Sequence, residues 1–149
     1  MTELSIYKAS FEIKLKLPYL DGGIQCGFPS PAQDYIDKSL DMNRELIDHP
    51  AATYYVKISG QSMIGAGIDD GDIAVVDMSL TPRSGDVVVA FLDGEHTIKY
   101  YCPSPKNARV LWLKPANKNY APIRVTEANE FRVFGVVTKV IKNIRRGGF

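Results

Sequence analysis

Two side chains in this 149-residue chain have the types and the setting for peptide chemistry. Ser62 lies in Ser59-Gly60-Gln61-Ser62-Met63-Ile64, where a strand-like run breaks at a glycine and a hydroxyl can stand exposed on a sharp turn. Lys99 lies inside the apolar, strand-like Thr97-Ile98-Lys99-Tyr100-Tyr101, where burying an ammonium group is costly. A free lysine, with a pKa of about 10.4, is protonated at neutral pH and useless as a base. Burial lowers that value by up to about 3–5 units, and a lysine so neutralised can take the proton of a serine. Ser62 as nucleophile and Lys99 as general base would then form a Ser–Lys dyad. By residue chemistry alone the pair does not specify catalysis. Serines are common in turns, and a strand lysine ordinarily lays its stem on the sheet with its amine in water. Period-two alternation puts Thr97 and Tyr101 on the side of Lys99, with Ile98 and Tyr100 opposite, and leaves open which side is buried.

A Ser-His-Asp triad is the obvious competitor, and His49 and His96 are the chain's two histidines. His96 is an odd number of residues from Lys99 on the same strand, so the two point to opposite faces. His49, next to Pro50, reads as a surface loop residue. The two cysteines, Cys26 and Cys102, have no metal-ligand spacing, and no metal or cofactor is implied.

The elements around this chemistry are mostly strands. Candidates are Thr53–Ile58, Ile73–Asp77, Val87–Leu92, Thr97–Tyr101, Val110–Lys114, Ile123–Val125 and Arg132–Ile144. Asp69-Asp70-Gly71-Asp72, the stretch Thr81 to Asp86, and Asp93-Gly94 supply turn chemistry between them. Asp93-Gly94 is a hairpin signal that places the Lys99 strand antiparallel to Val87–Leu92. Upstream, Phe11, Ile13, Leu15, Leu17 and Tyr19 alternate with Glu12, Lys14, Lys16 and Pro18, which predicts a strand or an extended arm. Asp21-Gly22-Gly23 then makes a hinge, and Ile24 to Pro31 reads as extended. Ser30-Pro31-Ala32-Gln33 resembles a helix start, with Tyr35, Ile36 and Leu40 at helical spacing behind it, and a further turn or two is expected around Asn43 to Ile47. The expected fold is mostly β: a compact antiparallel domain with an extended N-terminal arm and a short helix.

Ser59-Gly60-Gln61-Ser62-Met63-Ile64, followed by Gly71-Asp72-Ile73, Gly85-Asp86-Val87-Val88 and Gly94-Glu95-His96-Thr97-Ile98-Lys99, resembles the self-cleaving serine peptidases of the LexA/UmuD family. The Ser62–Lys99 separation of 37 residues has the size expected there. Cys26-Gly27-Phe28-Pro29-Ser30-Pro31 resembles the cleavage region of the UmuD branch, and Val133-Phe134-Gly135-Val136-Val137 also fits. The resemblance spans about residues 24 to 142 and implies the LexA/signal-peptidase type of catalytic fold. It implies Ser62 as nucleophile, Lys99 as general base, the backbone N–H groups of Ser62 and Met63 as oxyanion donors, and Cys26–Gly27 as the scissile bond. Residues 1–26 would be an arm removed by self-cleavage, and 27–149 the peptidase and dimerisation domain. The implied partners are a second copy in a homodimer, a RecA–single-stranded-DNA filament that stimulates cleavage, and a Y-family translesion polymerase of the UmuC kind, in SOS mutagenesis. Two features depart from the pattern. Gln61 stands where UmuD-like chains often carry an acidic residue, and the arm over residues 11–19 is longer and more regular.

Composition bounds the alternatives. With 45% hydrophobic and 23% charged residues, the chain has the make-up of one globular domain. A net charge of +1 gives no drive toward DNA, so direct specific DNA binding is not expected, and the basic run Lys142 to Arg146 reads as a solvated tail. No secretory signal and no window of about 18 apolar residues is seen, which argues against the membrane-anchored signal peptidases and for a cytoplasmic protein with free thiols, although a Cys26–Cys102 disulfide stays open. A LexA-type repressor would need a helix-turn-helix ahead of the cleavage site, and residues 1–26 are too short for one. A non-catalytic dimeric module that manages a polymerase is the alternative from another class.

Overall fold

A computed structural model of the chain describes residues 4–8, 17–19 and 38–145. In chain order its elements are β1 (Leu4–Lys8), β2 (Leu17–Tyr19), β3 (Lys38–Leu40), α1 (Met42–Leu46), β4 (Thr53–Ile58), β5 (Ile73–Asp77), β6 (Val87–Leu92), β7 (Glu95–Pro103), β8 (Leu111–Lys114), β9 (Ile123–Val125) and β10 (Phe131–Ile141). The residues group into two compact units, one of 1–9 with 49–149 and one of 10–48.

The larger unit is an eight-stranded sheet of order β1-β4-β5-β10-β6-β7-β8-β9, with every neighbouring pair antiparallel. The mostly antiparallel β architecture expected from the sequence is therefore borne out. Consecutive residues of β6 explain the near-continuous apolar run there. Val88 and Ala90 join Leu113, Val125 and Val136 on one face, whereas Val89 joins Val56, Met63, Val76 and Ile98 on the other. A strand covered on both faces has no reason to alternate, and each such side chain contributes on the order of 1.5–3 kcal/mol by leaving water. The β6–β7 hairpin closes at Asp93 (φ 47°) and Gly94 (φ 90°), both left-handed, as an Asp-Gly turn requires. The ladder runs right up to that turn, pairing Leu92 with Glu95, so β7 is longer than alternation alone suggested.

Strand β10 crosses the middle of the sheet between β5 and β6, and its register slips once against each. The slip against β6 falls between Val133 and Gly135, where Phe134 turns its ring edge-on to Tyr54 and His96. Such bulges add twist and re-aim side chains. β10 ends at Ile141 because Lys142 leaves the ladder to bind Asp69 (2.5 Å) and the buried carboxylate of Asp72. The first residue of the basic run is thus tied down by two carboxylates although it stays exposed, and Ile144 beyond it is exposed too.

In the smaller unit β2 pairs with β3, Leu17 opposite Leu40. Residues 11–16 and 30–37 of the expected arm and helix lie outside the described residues. Leu40 is a correction: its backbone belongs to a strand, because the ladder to Leu17 outweighs a weak helical spacing. The second expected helical stretch is α1, capped by Asp41, whose side chain accepts from the N–H groups of Asn43 and Arg44. No helix among the described residues is long and apolar enough to cross a membrane.

Candidate active site

Ser62 follows β4 in a tight turn that leads into a single 3-10 turn at Ile64–Ala66. The turn is held from both sides. The Gly60 N–H donates to Asp70 Oδ1 at 2.8 Å. The loop after β8 adds three bonds: Ala116 N–H to the Ser62 carbonyl oxygen (2.8 Å), Gly65 N–H to the Ala116 carbonyl oxygen (2.7 Å), and Asn117 Nδ2 to the Gln61 carbonyl oxygen (2.9 Å). Gly65 has no room for a side chain, since a Cβ there would stand 2.6 Å from the Ala116 oxygen. The carbonyl of the buried Ser62 thus finds its donor on a second segment.

Lys99 is centred in β7, opposite Val88 of β6, with Thr97 opposite Ala90. Cross-strand partners share a face, so the Lys99 side chain lies on the side of Val88, Ala90 and Leu113. The other side of the strand is buried too, through Ile98. Lys99 is only 5% exposed and Ser62 2%, yet their polar atoms meet: Nζ lies 3.0 Å from Ser62 Oγ. Nζ also donates to Thr97 Oγ1 at 2.9 Å and to the Ile98 carbonyl oxygen at 3.0 Å. Among the described residues no carboxylate forms an ion pair with Lys99. Burial with nothing to offset it lowers the amine from its ordinary 10.5 to about 8.

These three contacts satisfy all three donors of the ammonium form, and the neutral amine can keep them as well. An –NH2 group has two N–H donors and one lone pair. In that neutral form Thr97 Oγ1 and the Ile98 carbonyl can take the two protons, which leaves the lone pair facing Ser62 Oγ. The pair opens into a cavity of about 230 Å³ lined also by Leu92, Glu95, Tyr120, Ala121 and Ile123. A larger one, about 550 Å³, lies on another part of the sheet, bounded by Tyr7, Tyr55, Ile73 and Ile141, and holds neither Ser62 nor Lys99. No described group accepts from the Met63 N–H, the expected oxyanion donor next to Ser62.

The remaining sequence-derived residues sort as follows. Cys26 and Gly27 lie outside the described residues, and Cys102 is a half-buried free thiol. His96 stacks edge-on against Phe91 and Phe134, on the opposite side of β7 from Lys99. His49 is more than the loop residue expected: its Nδ1 lies 2.5 Å from the buried Asp77 Oδ2. Asp77 also accepts from the N–H and hydroxyl of Ser79. Burial opposes the Asp77 charge, but those hydrogen bonds prevail and hold its carboxyl below the usual range. Ala116 and Asn117 carry no recognisable motif. Their part in holding Ser62 follows only from the fold bringing the loop after β8 to the turn after β4.

Comparison with known proteins shows the family. The profile described as Peptidase S24-like matches residues 18–138. The chain is 42% identical over 121 residues to Protein ImpA of Salmonella typhimurium, covering 81% of this chain and 80% of that one. It is 39% identical over 123 residues to Protein MucA of Escherichia coli, covering 82% of each. To the LexA repressor of Desulfatibacillum aliphaticivorans it is 36% identical over 131 residues, which is 87% of this chain and 62% of the repressor.

Proposed function

The chain belongs to the S24-like peptidase family, and we propose that within it this protein is a UmuD-like self-cleaving serine endopeptidase. Ser62 is its nucleophile, Lys99 its general base and Cys26–Gly27 its scissile bond. The observation that carries the reading is the 3.0 Å contact between Ser62 Oγ and a buried Lys99 amine with no carboxylate partner among the described residues.

In the forward step neutral Lys99 takes the Ser62 hydroxyl proton as Oγ attacks the carbonyl carbon of Cys26. The negative charge that develops on that carbonyl oxygen is met by the backbone N–H groups of Met63 and Ser62. The C–N bond breaks, Lys99 returns its proton to the departing Gly27 amine, and an ester joins Cys26 to Ser62. Water then gives Lys99 a proton while its oxygen attacks the ester. Cys26 leaves as a carboxylic acid, Ser62 regains its proton, and one peptide bond has been exchanged for one water. Thr97 Oγ1 and the Ile98 carbonyl hold the amine with its lone pair toward Oγ throughout, a matter of orientation that intramolecular reactions reward strongly.

The substrate is tethered, so its local concentration is set by the chain and not by the solution, on the order of millimolar for a short flexible link. Regulation then consists of controlling how often Cys26–Gly27 occupies the cavity beside Ser62. By family resemblance, a RecA–single-stranded-DNA filament raises that occupancy by binding the competent conformation more tightly, which shifts the population without new chemistry. The shortened homodimer then acts as accessory subunit of a UmuC-like Y-family translesion polymerase in SOS mutagenesis.

The test is the intact mass of purified protein after alkaline incubation, beside Ser62→Ala and Lys99→Ala controls. A fragment that begins at Gly27, formed by the wild type alone, is the expected result. If no fragment forms even with RecA filament present, a non-catalytic interaction module replaces this reading.

A further inference from the structure

β1 is the one described strand of the eight-stranded sheet contributed by residues 1–26. It pairs with β4 along its whole length: Leu4 opposite Ile58, Ser5 opposite Lys57, Ile6 opposite Val56, Tyr7 opposite Tyr55 and Lys8 opposite Tyr54. Its other side has no described partner. The two central side chains of β1 do different jobs. Ile6 packs on the core cluster that contains Val56, Ala74 and Val76. Tyr7, 57% exposed, stands over the opposite face, where Tyr55, Lys57, Ile73 and Ile141 line the cavity of about 550 Å³.

Loss of residues 1–26 would strip this strand away. The outer edge of β4 would then present unpaired N–H and C=O groups, a template for another extended chain. The gap left by Ile6 and the groove beside Tyr55 would flank that edge. We propose that the β4 edge is a strand-acceptor site, filled by Leu4–Lys8 in the intact chain and opened by removal of the arm. Its occupant in the shortened protein is an extended segment of a partner protein, antiparallel to β4, with an aliphatic residue followed directly by an aromatic one. The chemistry is read from the occupant already there: the ladder supplies affinity, Ile6 fills the core-side gap, and Tyr7 lies along the groove. While the arm is attached, its tether to the same chain favours it over competing strands. Once cut, a five-residue strand has only its bulk concentration, and it yields the edge. The regulation rests on the cleavage reading above; the acceptor site does not.

Hydrogen exchange on the full chain separates the two. In the wild type the β4 amides should be protected. Ile6→Asp, which sets a charge against the core cluster, should speed their exchange at least tenfold and leave β6 and β10 unchanged, with Ile6→Ala moving β4 the same way by less. An excess of a synthetic peptide of residues 2–10 should restore protection in the uncut Ile6→Asp chain and in self-cleaved wild type, whereas the peptide with Ile6→Asp should not. Unchanged β4 exchange in both variants, or no rescue by the peptide, overturns the site. Rescue in the uncut variant from a protein that never cleaves supports the site and overturns the cleavage reading with its regulation. Protection in cleaved protein that returns with protein concentration alone gives the edge to a second copy and overturns the choice of a different partner.

Discussion

Gly65 and Ala116, on separate segments, are locked together. The Gly65 N–H donates to the Ala116 carbonyl oxygen at 2.7 Å, and the Ala116 N–H donates in turn to the Ser62 carbonyl oxygen at 2.8 Å. The position of Ser62 is therefore fixed by the loop after β8 as much as by its own turn.

Gly65→Ala should damage cleavage more than stability. The added Cβ would stand 2.6 Å from a backbone oxygen, which must move, and Ser62 is bonded to the same residue. Overpacking of this kind costs about 1–3 kcal/mol. A displacement of about 1 Å at the nucleophile lowers the rate of self-cleavage about 100-fold. Urea denaturation and a cleavage time course on the same sample read the two losses; an unaffected rate would free Ser62 from this loop.

Self-cleavage should accelerate with pH and then level off. With Lys99 at about 8, roughly a tenth of the protein holds the neutral amine at pH 7. The rate should climb almost tenfold per unit in the acid limb, bend near pH 8, and become flat above it. A rate independent of pH from 6 to 10 would remove Lys99 as the base.

Thr97→Val takes away one of the three groups around the Lys99 amine. A buried donor left without a partner costs about 1–3 kcal/mol. Because the lost hydroxyl oxygen favoured the ammonium form, the midpoint of the pH–rate curve should move to lower pH even as the plateau rate falls. Thr97→Ser should restore both. A lower plateau with an unmoved midpoint would mean that Thr97 serves only packing.

Lys99 also marks the stability curve. Its folded pKa, about 8, lies below the ordinary 10.5, so between those values the unfolded chain binds more protons than the folded one. Lys99 therefore contributes stability that grows with pH across that window, by about 3 kcal/mol in all at 1.36 kcal/mol per unit. Lys99→Met lacks the group and should lack the rise. Denaturation of both proteins at pH 7.5 and pH 10.5 gives the comparison, and parallel curves would contradict it.

Much of this was legible in the chain itself. The motif around Ser62, the strand carrying Lys99 and the run Val133 to Val137 led to the family to which the chain belongs. The run Val87–Leu92 and the Asp93-Gly94 turn located the strand pair carrying Lys99, because a fully buried strand and a left-handed turn leave local signatures. Contacts made only at long range left none. β1 alternates for too few residues to stand out, and Leu40 sits at helical spacing yet pairs with Leu17. Lys142 reads as the start of a basic tail until Asp69 and Asp72 are brought to it from more than sixty residues away. Asn117, part of an ordinary polar loop, gives no hint that its amide reaches Gln61.

The proton affinity of the Lys99 amine is set by dryness. Burial is what lowers the Lys99 amine, and no fixed neighbouring charge contributes to that shift. The value of about 8 belongs to the cavity as it stands, open beside Ser62. A segment settling over Ser62, Thr97 and Tyr120 would dry the amine further and favour its neutral form. On the proposed cleavage reading, the docking substrate would itself raise the fraction of neutral amine above the roughly one tenth present at pH 7 without it.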